Sequence, residues 1–134
     1  MSNFIKSYQA NVGLNHVPAY QVSGQPFATS SVDASTAASI SFPYVTRWFQ
    51  VINKSTSALK VGFSSNGVSG TNYFTVSASG SVGYGTSDVL ELKVSEIWLL
   101  GSADVDVIAG LTSIPVGRTT TDSGPSWSGS AGVG

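Results

Sequence analysis

The chain has 134 residues, no cysteine and one histidine, and only 10% of its residues are Asp, Glu, Lys or Arg, against about 25% in a typical soluble domain. This composition excludes a disulfide framework and a thiolate metal site, and the formal net charge of −1 gives no electrostatic attraction to nucleic acid or to an anionic membrane. No apolar run approaches the ~18 residues of a membrane span. A surface so poor in charge indicates one that is covered by a partner or by further copies, since free monomers rely on surface charge for solubility; an ordinary Ser/Thr-rich β-protein is an equally open alternative.

Composition divides the chain into three predicted parts. Residues 1–16 form a polar N-terminal arm, residues 17–114 carry dense β signals, and residues 115–134 form a Gly/Ser-rich C-terminal tail. The arm has no secretory signal pattern, so we expect synthesis in the cytoplasm. It ends at His16, which lacks the companion ligands of a zinc site or the motif of a catalytic triad. We therefore expect a packing or surface role for this histidine.

The middle part alternates apolar and polar residues in short runs, as half-buried strands do. Turn residues separate the runs at intervals typical of a sandwich or barrel. Helix signals are weak, and residues 33–39 offer at most one turn. The sequence predicts an all-β fold, an antiparallel two-sheet sandwich that is jelly-roll-like with extended N- and C-terminal arms. We predict strands near residues 17–22, 38–42, 44–53, 58–64, 72–77, 88–94, 96–100 and 104–109.

Alternation also predicts which side chains face the core. The inward-facing set is predicted to be Phe49, Val51, Leu59, Val61, Phe63, Leu90, Leu92, Val94, Val105 and Val107. Trp48 and Trp98 fall in strong predicted strands, so we expect both in the core as well.

Three patterns could carry chemistry, and each has a simpler structural interpretation. Asp104 and Asp106 share one strand face and could bind Ca²⁺, but no further oxygen ligand follows at loop spacing, which favours a solvated outer face. The glycine-rich residues 80–85 precede a strand rather than a helix, which indicates a hairpin loop or bulge rather than a phosphate site. Asn53-Lys54-Ser55 matches a glycosylation sequon and is interpreted as a turn. We expect no catalytic residue, metal or cofactor, and no enzymatic activity.

Isolated aromatic and aliphatic residues are the best candidates for partner binding. Trp127 stands alone among Gly and Ser, so it either remains in solvent or inserts into a partner, as tryptophan often does at interfaces. Both terminal segments are expected to order only on a partner. The candidate partner-binding residues are Phe4, Ile5, Tyr8, Leu14, Tyr73, Phe74 and Trp127.

Residues 41–47 with 51–53, residues 59–75 and residues 105–115 resemble the jelly-roll-like capsid decoration, or cement, proteins of tailed bacteriophages. The resemblance covers about residues 40–115 and its motifs are structural. It implies a virion protein on the outside of an icosahedral shell, which stabilises contacts between major capsid proteins and is often a homotrimer. No individual binding residue is carried over from the family.

Two alternatives remain open at this stage. One is another minor virion protein of the same fold, from the tail, the fibre base or the capsid. The other is a carbohydrate-binding β-sandwich module, which would need a planar row of aromatic rings or a loop calcium. A glycosidase is disfavoured, because the seven acidic residues lie mostly at outward positions and a pair converging in a groove is required.

Overall fold

The structure is a computed structural model that describes residues 24–134. The predicted strand near residues 17–22 and the candidates Phe4, Ile5, Tyr8, Leu14 and His16 lie outside the described residues.

The described residues form two antiparallel four-stranded sheets. Their order is β1-β8-β3-β6 in the first sheet and β2-β7-β4-β5 in the second. A short helix, α1 (Ser65–Ser69), follows β4, and a 3₁₀ helix (Val116–Thr119) follows β8. The strands are β1 (Gln25–Ala34), β2 (Ala38–Ser41), β3 (Thr46–Asn53), β4 (Leu59–Gly62), β5 (Tyr73–Val76), β6 (Gly85–Thr86), β7 (Glu96–Leu100) and β8 (Ser102–Leu111).

The pairing of these strands is that of a jelly roll. β1 pairs with β8, β2 with β7, β3 with β6 and β4 with β5, all antiparallel. One long antiparallel hairpin folded over on itself gives these four pairs and splits them between two sheets, which is the eight-stranded jelly-roll arrangement. The predicted antiparallel two-sheet sandwich is therefore confirmed.

The core lies between the sheets and contains most of the predicted inward residues. Seven of them are buried, and Phe63 and Leu90 are half-buried and pack against this cluster. The seven are Phe49, Val51, Leu59, Val61, Val94, Val105 and Val107.

Three predictions about core residues are wrong. Leu92 is 41% exposed, and Trp48 and Trp98 are half-buried on the outer faces of their sheets. Alternation along β7 buries Ile97 and Leu99, so Trp98 between them must point outward. The burial of the residues on either side, and not the size of the side chain, therefore sets which face of the sheet Trp98 occupies.

The predicted strand at residues 88–94 is not a regular strand. Phe49 and Leu90 form an isolated bridge, with their backbone hydrogen bonds at 3.0 and 2.9 Å. Beyond it, the Thr46 hydroxyl donates to the Leu92 carbonyl (2.7 Å) and accepts from the Val94 amide (3.2 Å). The Thr46 amide also donates to the Val94 carbonyl (2.9 Å), so backbone and side-chain hydrogen bonds alternate here, and Leu92 lies at the surface.

Four elements are not predicted from the sequence: β1, the two-residue β6, α1 and the 3₁₀ helix Val116–Thr119. β1 lies in a mostly polar segment and is an edge strand with irregular register, where Ser31 has a positive φ of 56°. α1 is one short turn, capped by the Ser64 hydroxyl, which accepts from the Gly67 amide (2.9 Å). The possible helical turn at residues 33–39 is wrong, since this segment ends β1 and begins β2.

The C-terminal residues 115–134 pack on the sandwich. Thr119 and Ser126 are fully buried, and Trp127 packs against the core cluster. The indole Nε1 of Trp127 donates to the Lys93 carbonyl (2.6 Å). The expectation that this segment orders only on a partner is therefore wrong, because its anchoring surface is the chain's own sandwich. Trp127 adopts neither of the two alternatives considered from the sequence.

Phe49→Ala is expected to lower the free energy of unfolding by about 3–5 kcal/mol, the usual cost of emptying a fully buried aromatic site. Phe63→Ala should cost less, because Phe63 is only half-buried and less cavity remains. Urea denaturation of both variants measures the difference. Equal losses would contradict the placement of Phe63 at the margin of the core.

Trp127→Ala is expected to lower the free energy of unfolding by about 2–3 kcal/mol, below the value for a fully buried tryptophan. The loss combines packing against the core with the hydrogen bond to Lys93. Val116→Ala, in the same segment at an exposed position, is the control and should change stability little. An unchanged denaturation midpoint for Trp127→Ala would show that the C-terminal segment does not pack in solution.

Candidate functional site

Ser126 anchors the C-terminal segment to the sandwich. Its hydroxyl accepts from the amides of Ser95 and Glu96 (both 3.2 Å) and lies 3.2 Å from the Glu96 carbonyl, to which it can donate. The hydroxyls of Ser95 and Thr119 are 2.9 Å apart and hydrogen-bonded. Ser126 and Trp127 both have positive φ, 53° and 62°, which reverses the chain here. The segment is thereby fixed beside the start of β7.

The first candidate site, the edge groove, lies where this segment meets residues 91–94. It has a volume of about 440 Å³ and a predominantly apolar lining. Phe63 is part of it, and the Phe63 ring meets Phe49 edge to face with centroids 6.3 Å apart, so the groove is continuous with the core. Its lining residues are Phe63, Glu91, Leu92, Lys93, Val94, Trp127 and Val133.

A second depression of about 330 Å³ lies on the other side of Phe63 and includes Tyr73 and Phe74. Tyr73 is 38% exposed, with the Lys60 ammonium 4.8 Å from its ring centroid. Phe74 packs against the core. The three candidate partner-binding residues that the structure describes, Tyr73, Phe74 and Trp127, therefore lie around Phe63. The sequence predicts Phe63 only as a core residue and gives no sign of its place in the edge groove and in this second depression.

The C-terminal loop, residues 129–134, closes one side of the edge groove. The Ser64 hydroxyl donates to the Val133 carbonyl (2.7 Å). A Cβ at Gly67 would lie 2.2 Å from that carbonyl oxygen, so only glycine permits this contact. In the sequence, Asn66-Gly67 indicates no more than a turn. The C-terminal loop that packs against Gly67 is more than 60 residues away in the chain, so the sequence pattern does not indicate this contact.

On its other side, the C-terminal loop borders a polar groove of about 290 Å³. The indole of Trp98 lies in this groove, and its Nε1 donates to Glu96 Oε1 (3.1 Å). The polar groove is lined by Ser64, Ser65, Asn66, Glu96, Trp98, Ser123, Ser128, Gly129 and Gly134.

The described residues provide no planar row of aromatic rings across the second sheet. Tyr73 and Trp98 both pair with Gly62 and so share one row of the sheet. A Cβ at Gly62 would lie 3.2 Å from the Cβ of Val68. Since α1 covers the space over Gly62, it separates the two rings. An extended sugar chain stacked across both is excluded by this geometry.

Asp104 and Asp106 have a structural role. The Lys54 ammonium lies 3.3 Å from Asp104 Oδ1 and 3.1 Å from Asp106 Oδ1. Asp106 Oδ1 also accepts from the Ser31 amide (2.9 Å) at the irregular part of β1. The hydrogen bond to Asp106, followed by the proximity of Asp104, raises the pKa of Lys54 despite partial desolvation. Within residues 24–134, no group of three or more His, Cys, Asp or Glu side chains could hold a metal ion.

Asn53, the first residue of the sequon, is fully buried. Its amide nitrogen donates to the Ser57 and Ser77 carbonyls (2.8 and 3.1 Å), and its oxygen accepts from the Ser55 amide and the Ser102 hydroxyl (3.1 and 2.8 Å). All of its hydrogen-bonding capacity is used within the protein, which leaves no amide for a glycan.

The glycine-rich segment at residues 80–85 is a hairpin loop, as the sequence predicts. Gly80 and Gly83 exchange backbone hydrogen bonds of 2.9 and 3.2 Å. Strand β6 follows it, so no helix N-terminus is available to bind a phosphate.

No protein-family model, curated protein or solved structure matches this chain. Among the described residues, no helix is long and apolar enough to cross a lipid bilayer.

Lys54→Met is expected to destabilise the protein at neutral pH, since two carboxylates would remain close together without their cation. The pKa of Lys54 is raised in the folded state. Its stabilisation is thus fully present below the ordinary lysine pKa of about 10.4 and is lost as pH rises through the higher folded value. Urea denaturation of both proteins from neutral to strongly alkaline pH should show the stability difference shrinking above about pH 10.4. A difference that grows with pH would contradict the ion pair.

Proposed function

We propose that this protein is a non-enzymatic structural component of a virion, a capsid decoration protein on the outside of an icosahedral shell that stabilises contacts between major capsid proteins. The observation that carries the proposal is the edge groove, a predominantly apolar groove framed by the C-terminal segment. The protein acts as a homotrimer in this proposal, and it requires neither a cofactor nor nucleic acid.

The fold supports this proposal in general terms. Jelly rolls are common in viral capsid and lectin domains, but a fold of this kind serves many functions. The resemblance noted over residues 40–115 favours the capsid class. Because the fold alone does not define a function, the support for a binding role comes from the apolar lining of the edge groove.

The edge groove suits an apolar side chain from an extended segment of a shell protein. Leu92, Val94 and Trp127 provide apolar contact surface, and Glu91 and Lys93 lie at the same groove. Tight interfaces bury an apolar or aromatic anchor in such a pocket and surround it with polar groups. With a net charge of −1, attachment of this kind should depend little on ionic strength.

Self-association has a separate candidate surface on the β1-β8-β3-β6 sheet. Trp48, Ile52 and Ile108 lie on its outer face, where Ile108 is 39% exposed and the other two are half-buried. Apolar side chains in this position favour contact with further copies in the proposed trimer, since an exposed apolar face is a common mark of an interface.

A minor virion protein of the tail or fibre base would use the same groove on a different partner. Electron microscopy of purified particles that contain this chain separates the two. Density repeated over the shell lattice supports a decoration protein, and density confined to one vertex or to the tail supports the minor component.

Leu92→Asp is expected to weaken binding to purified shells that lack this protein by at least about tenfold, because it places a charge in an apolar interface. Leu92 is 41% exposed, so the substitution should leave the fold intact. Val82→Asp is the matched control, since Val82 is fully exposed in the loop between β5 and β6. Co-sedimentation with shells, at low and at moderate salt, measures both variants.

If Leu92→Asp binds as tightly as Val82→Asp and the unmodified protein, the edge groove is not the docking site. A steep loss of binding with added salt would instead indicate an electrostatic attachment and overturn the proposed apolar one.

A further inference from the structure

The polar groove has a composition unlike that of the edge groove. It combines one aromatic ring, one carboxylate, one amide and several hydroxyls in about 290 Å³, near the lower end of the range of about 300–1,000 Å³ for small-molecule sites. Trp98 and Glu96 come from β7, Ser64 to Asn66 from the start of α1, and Ser123 and Ser128 from the C-terminal segment.

The ring of Trp98 is held in a fixed orientation. Its Nε1 donates to Glu96 Oε1 (3.1 Å), two residues earlier on the same face of β7. Its neighbours across the sheet are Gly62 and Ser39, which are too small to cover an indole. Part of the Trp98 surface consequently lines the groove.

Two polar groups of the groove are available to a ligand, whereas the Ser64 and Ser128 hydroxyls already donate to the Val133 and Pro125 carbonyls. Glu96 Oε2 takes no hydrogen bond from the described residues, and Asn66 is exposed with its side-chain amide unbonded within the same part of the chain. An oriented aromatic face beside free carboxylate and amide groups matches a pyranose ring, whose C–H face packs on aromatic rings and whose hydroxyls bond to charged and polar acceptors.

Charge restricts the class of saccharide. Among residues 24–134, Glu96 is the only ionisable side chain in the lining, and no Lys or Arg of this part of the chain lines the groove. A carboxylate accepts hydrogen bonds from neutral hydroxyls but repels sialic acid, uronic acids and phosphates.

We propose that the polar groove binds one neutral hexopyranose, such as the terminal sugar of a surface glycan. This site is distinct from the edge groove, although the C-terminal loop borders both, with Val133 in the edge groove and Gly134 in the polar groove. We expect the site to hold a single sugar ring, because α1 covers Gly62 and so separates the Trp98 ring from the Tyr73 ring.

The test is a titration of the full chain with glucose, galactose, mannose and N-acetylglucosamine, followed by the indole N–H signals in nuclear magnetic resonance. Trp98→Phe assigns the Trp98 signal, and Trp48 and Trp127 serve as internal references. We expect at least one neutral sugar to shift the Trp98 signal saturably with a millimolar midpoint. N-Acetylneuraminic acid should leave the signal unchanged.

Glu96→Gln keeps an acceptor for Trp98 but removes the charge, and it should weaken binding by about tenfold or more, the usual effect of losing a charge-assisted hydrogen bond. Glu91→Gln, at the edge groove, is the matched control and should not change sugar affinity. Asn66→Ala provides a second test at an exposed position and should also weaken binding.

The proposal is overturned if none of the four sugars shifts the Trp98 signal saturably. It is also overturned if Glu96→Gln and Asn66→Ala both bind as the unmodified chain does, or if the anionic sugar binds as tightly as the neutral ones. Leu92→Asp should retain sugar binding, so failure at one groove is distinguishable from failure at the other.

Discussion

The hydroxyl of Ser126 is the contact on which both candidate sites depend. It bonds to the backbone of Ser95 and Glu96, where the chain passes from the irregular edge of the first sheet into β7 of the second. A buried hydroxyl with two donors and an acceptor around it holds its position firmly, since leaving those groups unpaired is costly. By fixing the C-terminal segment at this point, it places Trp127 in the edge groove and Ser128 in the polar groove.

Hydroxyl and amide groups satisfy many of the buried polar positions in this protein. The Thr46 hydroxyl bonds to the Leu92 carbonyl and the Val94 amide, Asn53 joins two loops to β8, and Thr112 donates to the Val45 carbonyl (2.6 Å). Neutral groups of this kind avoid the desolvation cost of buried charges. The chain as a whole is also poor in charge, with 10% Asp, Glu, Lys and Arg, so both proposed sites rely mainly on apolar and hydrogen-bonded contacts.

One thin loop separates two surfaces of opposite character. Val133 presents an apolar wall to the edge groove, while Gly134 borders the polar groove. The loop is held by Ser64 and requires glycine at position 67. Attachment to a protein shell and contact with a sugar would thus occupy adjacent but chemically separate regions of the same side of the molecule.

The sequence by itself determined the sandwich, because period-two alternation in β3, β4 and β8 records directly which side chains face inward. It did not determine that Trp127 packs on the sandwich, that Leu92 is exposed, or that a polar groove forms around Trp98. Trp127 lies among Gly and Ser with no periodic neighbour, and its contacts with Lys93 and the core come from over 30 residues away. Such contacts form only when the C-terminal segment packs beside β7, and the local sequence pattern does not indicate contacts between residues so far apart in the chain. Only the tertiary structure brought Phe63, Tyr73 and Trp127 to one side of the sandwich.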